Sequence, residues 1–273
     1  MLPPFEIHRA EDLSDALAWI DDDRIPYWGG TELLLAMKMG LLRPEGLVDL
    51  KRVPGLREIR MDGDRLVIGA GCSHDEVARH ELVREHAPVL AAAESGVGNA
   101  RVRAQGTIGG NLAFAEPRSD VATVLAALGA SVRLVSSSGA RSASIEDFVL
   151  GPYWTLRESN ELVVDIAVPL PAPRGIYRKF QTVERPTAAV AVVRPTADRG
   201  ESGARLVIGA VTERPQMWDV PNLHALDPES LVRDLDPVPD LTGSVRYKRH
   251  VTGVLVRRAI AALDELERLE ESA

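Results

Sequence analysis

Two glycine pairs mark where this sequence could do chemistry. Trp28-Gly29-Gly30-Thr31-Glu32-Leu33 stands at a strand-to-helix junction, and Gly106-Thr107-Ile108-Gly109-Gly110-Asn111 follows Arg101 and Arg103 and precedes Asp120. Residues without a Cβ let backbone N–H groups approach an anion, and a helix N-terminus adds partial positive charge. Two such loops of oriented amides suit a diphosphate, even in an acidic chain. Neither loop has the G-x-G-x-x-G or G-x-x-x-x-G-K-[ST] spacing. Taken singly, each is weak evidence, since a Gly-Gly pair is more often a plain turn than a phosphate cradle.

Other groupings carry less. Cys72, His74, His80 and His86 invite a metal, but histidines six apart do not share a helical face and no carboxylates complete a ligand set. Surface or capping roles are expected for these histidines. Asp21-Asp22-Asp23 lacks the remaining positions of a calcium loop and reads as a solvated turn. No Ser/His/Asp grouping follows from spacing, so no catalytic side chain is assigned. Cys72 is the single cysteine. It excludes an intrachain disulfide, a thiolate zinc site and a cysteine-ligated iron–sulfur cluster within this chain.

Composition narrows the class. The 273 residues carry 32 Lys+Arg against 40 Asp+Glu, a net charge of −8. Basic residues are diluted among acids, so a nucleic-acid partner is not expected. With 45% hydrophobic and 26% charged residues, the chain has the profile of an ordinary globular protein. No basic-then-apolar leader and no stretch approaching a membrane span are seen, which gives a cytoplasmic expectation.

The elements that would position the loops are mixed α and β. Leu13, Ala16, Leu17 and Ile20 form a helical stripe. A second helix is expected from Thr31 as N-cap, through Leu33, Leu34 and Met37, to Gly40. Residues 57–61 and 65–69 flank Asp62-Gly63 as a hairpin with a type I′ turn. Ser73-His74-Asp75-Glu76 has capping-box spacing, and Val121, Val124, Leu125 and Leu128 predict a helix opened by Ser119 or Asp120 and closed by Gly129. Strands are expected over 131–135, 161–168, 176–182, 188–193 and 205–211, and a long helix from Ser244 with Val251, Val254, Leu255, Ala259, Ala262 and Leu263 on one face. Pro169, Pro171 and Pro173 cannot donate ladder bonds and place a linker between two domains.

Several words, in order through nearly the whole chain, resemble one family. They are Trp28-Gly-Gly-Thr-Glu-Leu33 with Met37-Lys38; Leu47-Val-Asp-Leu50; Gly106-Thr-Ile-Gly-Gly-Asn-Leu112 leading to Pro117-Arg-Ser-Asp120; Tyr177-Arg-Lys-Phe180; Gly209-Ala-Val-Thr-Glu-Arg-Pro215; and Gly243-Ser-Val-Arg-Tyr-Lys-Arg249. They are similar to the flavin subunit of molybdenum hydroxylases, meaning the medium chain of aerobic carbon monoxide dehydrogenase and the flavin domain of xanthine dehydrogenase.

The resemblance implies an α+β fold: a two-part PCMH-type FAD-binding domain over 1–170, with parts near 1–55 and 56–170, then a smaller α+β C-terminal domain over 175–273. It assigns noncovalent FAD to Trp28, Gly29, Gly30, Thr31 and Glu32 and to Thr107, Ile108, Gly109, Gly110 and Asn111, with Ile108 near the isoalloxazine ring. Asp120 would bond a flavin hydroxyl, and Lys179 matches a basic position near the flavin. Where the family often has an Asp-containing segment near the ring, this chain has Glu184-Arg-Pro-Thr-Ala188, which opens the question of ring contacts and acceptor. A small chain with iron–sulfur clusters and a large chain with the molybdenum cofactor would be partners, in a dimer of heterotrimers, and this subunit would be the electron outlet. A free-standing flavoenzyme of the same fold, a flavin-free assembly scaffold and a plain nucleotide-binding module are the alternatives.

Overall fold

The computed structural model describes residues 2–194 and 203–272. It begins with β1 (Glu6–Arg9), α1 (Leu13–Trp19), β2 (Arg24–Tyr27), α2 (Leu33–Lys38) and β3 (Gly46–Asp49), whose strands form a parallel sheet ordered β1-β3-β2. Asp12 opens α1 by accepting the Asp15 N–H at 2.8 Å, and the expected stripe packs with Val48, Leu50 and Trp28. Helix α2 starts later than its sequence suggests. Glu32, not Thr31, is the flanking residue, and no side chain caps it, because Gly30 at φ +69 turns the chain first. Gly40, at φ +78, ends the helix as expected.

The hairpin of β4 (Ile59–Asp62) and β5 (Arg65–Gly69) forms, with a correction. Asp62 pairs with Arg65, so the two loop residues are Gly63 and Asp64. Of these only Gly63 has a positive φ, +58, the pattern of a type II′ turn rather than I′. Six helices follow: α3 (His74–Arg79), α4 (Glu81–His86), α5 (Pro88–Ser95), α6 (Ala100–Gln105), α7 (Ile108–Phe114) and α8 (Asp120–Ala127). The capping box at α3 is present, with Ser73 Oγ accepting the Glu76 N–H and Glu76 Oε2 accepting the Ser73 N–H at 2.8 Å. Then come β6 (Ser131–Ser136), β7 (Gly139–Ser144), α9 (Ile145–Phe148), the short strands β8 (Val149–Gly151) and β9 (Trp154–Thr155), and β10 (Leu162–Pro169). The antiparallel sheet β4-β5-β10-β6-β7 buries Leu66, Ile68, Val132, Leu134 and Ile166 against these helices.

After the prolines, β11 (Arg174–Phe180), β12 (Ala188–Arg194), β13 (Ala204–Gly209) and β14 (Gln216–Val220) form an antiparallel meander, followed by α10 (Pro228–Arg233) and α11 (Val245–Glu271). Both faces of its central strands, β12 and β13, are dry. Successive strand residues point to opposite faces. Ala188, Val190 and Val192 pack with Leu255, Val256, Ala259 and Leu263 of α11, while Ala191 and Val193 join the core that holds α8. A Cβ on Gly209 would sit 2.0 Å from Thr123 Oγ1, so the glycine of the Gly209-Ala-Val word lets β13 rest directly on α8. The 243–249 word is also structural. Lys248, 1% exposed, donates to Val238 O at 2.9 Å and pairs with Asp240 at 2.8 Å, and Arg249 donates to Leu235 O. Partial burial works against the Asp240 charge, but Lys248 and Thr242 together hold its carboxyl at about 2.

Candidate cofactor site

The two glycine loops meet. A Cβ on Gly29 would lie 2.0 Å from Gln105 O, and one on Gly106 would lie 3.2 Å from Thr31 Oγ1. The backbones therefore touch along a seam that only glycine permits. The seam forms one wall of a cavity of about 510 Å³ whose lining includes Trp28 to Leu33, Thr107, Gly109, Gly110, Asn111 and Asp120, a size within the range of small-molecule sites. Trp28 borders it with its ring pressed on Gly71, where a Cβ would come within 2.5 Å.

The amides of the two loops differ. Among the described residues, the N–H groups of Gly29, Gly30, Thr31 and Glu32 meet no protein acceptor. Those of the second loop are taken: Ile108 N–H by Cys72 O and Gly109 N–H by Ala70 O, each at 3.0 Å, Asn111 N–H by Thr107 O at 2.9 Å, and Gly110 N–H by Thr107 Oγ1 at 3.1 Å. The expectation that both loops present free amides holds only for the first. The second loop offers shape and side chains. Gly109 is there for packing, since a Cβ would meet Ala70 Cβ at 2.4 Å. One on Gly110 would meet only Thr107 Oγ1, at 2.8 Å, and otherwise open space. Asn111 Oδ1 accepts from Ser119 Oγ at 2.6 Å, while Ser119 also caps α8. This bond explains the spacing of the Asn and Ser words and turns the Asn111 amide nitrogen away from Ser119.

The remaining expected residues divide. Asp120 lines the cavity, 5% exposed, and its Oδ1 takes the Tyr177 hydroxyl at 2.6 Å and Lys179 Nζ at 2.9 Å. Burial and the Asp120 charge together push the Tyr177 hydroxyl well above its usual range. Lys179 also donates to Gly96 O at 2.6 Å. It is not among the lining residues and stands behind Asp120, drawn there because a buried carboxylate needs a cation. Ile108 is fully buried in the core with Leu112 and Val124. Its side chain does not line the cavity, because position 108 on α7 faces the sheet.

Two groups were not read from the sequence. Arg185, within the divergent 184–188 segment, lines the cavity and grips Glu32 at 2.5 and 2.7 Å and Glu116 at 2.5 Å. Burial opposes its charge, yet Glu116 and Glu32 raise its pKa further. Glu116 also accepts from the Tyr153 hydroxyl at 2.9 Å, and burial followed by this bond raises the Tyr153 pKa. The second group corrects the expectation of surface or capping histidines. His74 is 2% exposed, lines the cavity, and its Nδ1 lies 2.6 Å from Oε2 of fully buried Glu94. A signal existed: Glu94 directly follows the apolar run Val89-Leu-Ala-Ala-Ala93, and a charge one helical turn from such residues needs a partner when it is buried with them.

Comparison with known proteins agrees with this geometry. Residues 3–171 match the family model "FAD binding domain in molybdopterin dehydrogenase". The chain is 31% identical to the nicotine 6-hydroxylase medium subunit of Paenarthrobacter nicotinovorans, over 92% of this chain and 93% of that protein. It is 30% identical to the carbon monoxide dehydrogenase medium chain of Hydrogenophaga pseudoflava, over 96% and 98%. Among solved structures, carbon monoxide dehydrogenase from Hydrogenophaga pseudoflava superposes with a TM-score of 0.88 at 29% identity, covering 96% of this chain and 98% of that one. Quinoline 2-oxidoreductase from Pseudomonas putida 86 gives 0.88 at 27%, covering 97% and 98%. The glycine-loop seam and these full-length likenesses lead to one conclusion: the chain belongs to the FAD-binding, medium-subunit family of molybdenum hydroxylase-type dehydrogenases.

Proposed function

We propose that the cavity holds FAD noncovalently, with its diphosphate at the seam of the two glycine loops, and that the chain passes electrons from iron–sulfur clusters in a small partner chain to an external acceptor. The observation that carries this reading is the seam itself, where unpaired amides of residues 29–32 face the same cavity as the open Cα of Gly110. FAD exchanges electrons singly or in pairs and so can join a one-electron donor to a two-electron acceptor. The first loop binds phosphate oxygens through its amides, and Asn111 adds a side-chain amide. Asp120, with Oδ1 engaged by Tyr177 and Lys179, keeps Oδ2 for a ligand hydroxyl. Arg185 closes the cavity against water by tying Glu32 to Glu116. No side-chain acid or base is assigned to the electron transfer.

In the same reading residues 1–170 are the FAD-binding domain and 175–273 the C-terminal domain. A large chain carries the molybdenum cofactor, and the assembly is a dimer of heterotrimers in the cytoplasm. Cys72 is buried, so iron–sulfur ligands must come from a partner. No helix among the described residues is long and apolar enough to cross a membrane. The purified chain should take up FAD, release all of its yellow colour into the supernatant on acid precipitation, and be bleached by dithionite. Aldehydes, purines, N-heterocycles and carbon monoxide should not bleach it until the small and large chains are coexpressed. Rapid bleaching of the partner-free chain by one of these substrates would make it a free-standing flavoenzyme, and a colourless chain that refuses FAD would make it a scaffold.

A further inference from the structure

The His74–Glu94 pair is a buried titratable group for which electron transfer has no use, and its position suggests another task. Glu94 comes from α5 and is fully buried; its Oε2 contacts His74 Nδ1 at 2.6 Å, and its Oε1 has no partner among the described residues. His74 opens α3, and its backbone N–H is accepted by Gly106 O at 3.1 Å. Its Cδ2 lies 3.1 Å from where a Gly106 Cβ would stand, next to Thr31 Oγ1. Among the described residues Nε2, bonded to that carbon, has no protein partner, and it is not sealed from solvent. The free edge of the imidazole therefore opens on the cavity beside the glycine seam.

The proton arrangement follows from burial. An uncompensated carboxylate in the interior costs several kcal/mol, and His74 is the only partner that Glu94 has among the described residues. A form of the pair that is neutral overall avoids that cost. One neutral form is a carboxylate with an imidazolium, which carries hydrogens on both ring nitrogens. The other is a carboxylic acid donating to Nδ1, which leaves the imidazole hydrogen on Nε2. In both, Nε2 carries a hydrogen. Only the net-negative form, with hydrogen on Nδ1 alone, leaves Nε2 bare.

We propose that His74, with its proton fixed by Glu94, is a donor to the cofactor's diphosphate, supplying from its Nε2 the bond that the occupied amides of residues 108–111 do not. This rests on the FAD reading above and adds a residue to it. An anion at the seam favours the imidazolium form, and with Glu94 as its counter-ion the pair stays neutral overall when the cavity is empty. The nearby arginines are engaged elsewhere: Arg185 by Glu32 and Glu116, Arg118 by Glu116, and Arg157 by the carbonyls of residues 158, 159 and 161.

The test uses the full chain. His74→Asn keeps an amide near the Nδ1 position, and so the Glu94 contact, but removes the cavity donor. It should weaken FAD binding about tenfold or more, as loss of a hydrogen bond to a charged group does. It should also shift a ³¹P resonance of bound FAD while leaving the thermal midpoint of the FAD-free protein near that of the parent. His74→Gln, whose amide nitrogen reaches the Nε2 position, should recover part of the affinity. Independently of any variant, ¹⁵N NMR of the FAD-loaded parent should show His74 Nε2 protonated. A bare Nε2, or an Asn variant that binds FAD as the parent does with an unchanged ³¹P spectrum, overturns the proposal alone. A parent that takes up no FAD overturns it together with the cofactor reading.

Discussion

Gly109 and Gly110 are neighbours with opposite reasons for being glycine, and mutation separates them. A Cβ on Gly109 runs into Ala70, so Gly109→Ala should lower the stability of the FAD-free protein by about 1–3 kcal/mol, the usual cost of overpacking, as read by its unfolding midpoint. Gly110 faces open space beyond Thr107 Oγ1, so Gly110→Val should fold yet lose FAD occupancy about tenfold or more by putting similar excess bulk where the cofactor lies. His86→Ala should change neither. Equal FAD content in the Gly110 variant and the parent would remove the second loop from the site. Cys72 offers a further check, since burial foremost pushes its thiol up to about 12. A thiol alkylating reagent at pH 8 should leave the native chain unlabelled and modify one site after unfolding. The glycines, Asn111 and Asp120 were legible because chemistry and spacing lie in consecutive residues. His74–Glu94 and Arg185 were not, because their partners lie 20 residues away in one case and 153 and 69 in the other.

Helix α8 shows how an element positions a site. Its cap, Ser119, accepts the Ala122 N–H at 3.1 Å and donates to Asn111 at 2.6 Å, and its first residue is Asp120. One hydroxyl thus orients a cavity amide and starts the helix that carries the cavity carboxylate. Ser119→Ala should cost about 1 kcal/mol of stability through the lost cap, seen in a denaturation midpoint, and should also weaken FAD binding by freeing Asn111. An unchanged FAD affinity would mean that Asn111 does not contact the cofactor. Helix α8 was readable, with Ser119, the stripe of Val121 to Leu128 and Gly129 at φ +68 all where expected. The start of α2 and the turn at Gly63 were each displaced by one residue, since the residue at which a positive φ falls is not settled until the chain around it is packed and the strand register is set. The taken amides of α7 could not be read, because Ala70 and Cys72 accept them from a distant strand end.

On the scale of the molecule, the α+β class and the order of elements were open to reading, but the dependence between the two halves was not. The run Ala188-Ala-Val-Ala-Val-Val193 is apolar throughout, but it does not say what each face meets: Ala191 and Val193 belong to the α8 core and Val190 and Val192 to the α11 core. A chain ended after Leu170 would uncover the side of α8 that Gly209 rests on, release Asp120 from Tyr177 and Lys179, and lose Arg185. Such a fragment should aggregate or melt well below the full chain and retain no FAD in gel filtration; a stable, yellow fragment would make the halves independent. The contact between Gly209 and Thr123 also bears on synthesis. The ribosome finishes α8 roughly 80 residues before the strand that covers it, and at about 5–20 residues per second the helix waits on the order of ten seconds with an apolar flank bare. During that interval the flank is open to other apolar surfaces, and the cofactor pocket, whose lining runs to Arg185, cannot be complete until translation has passed that residue.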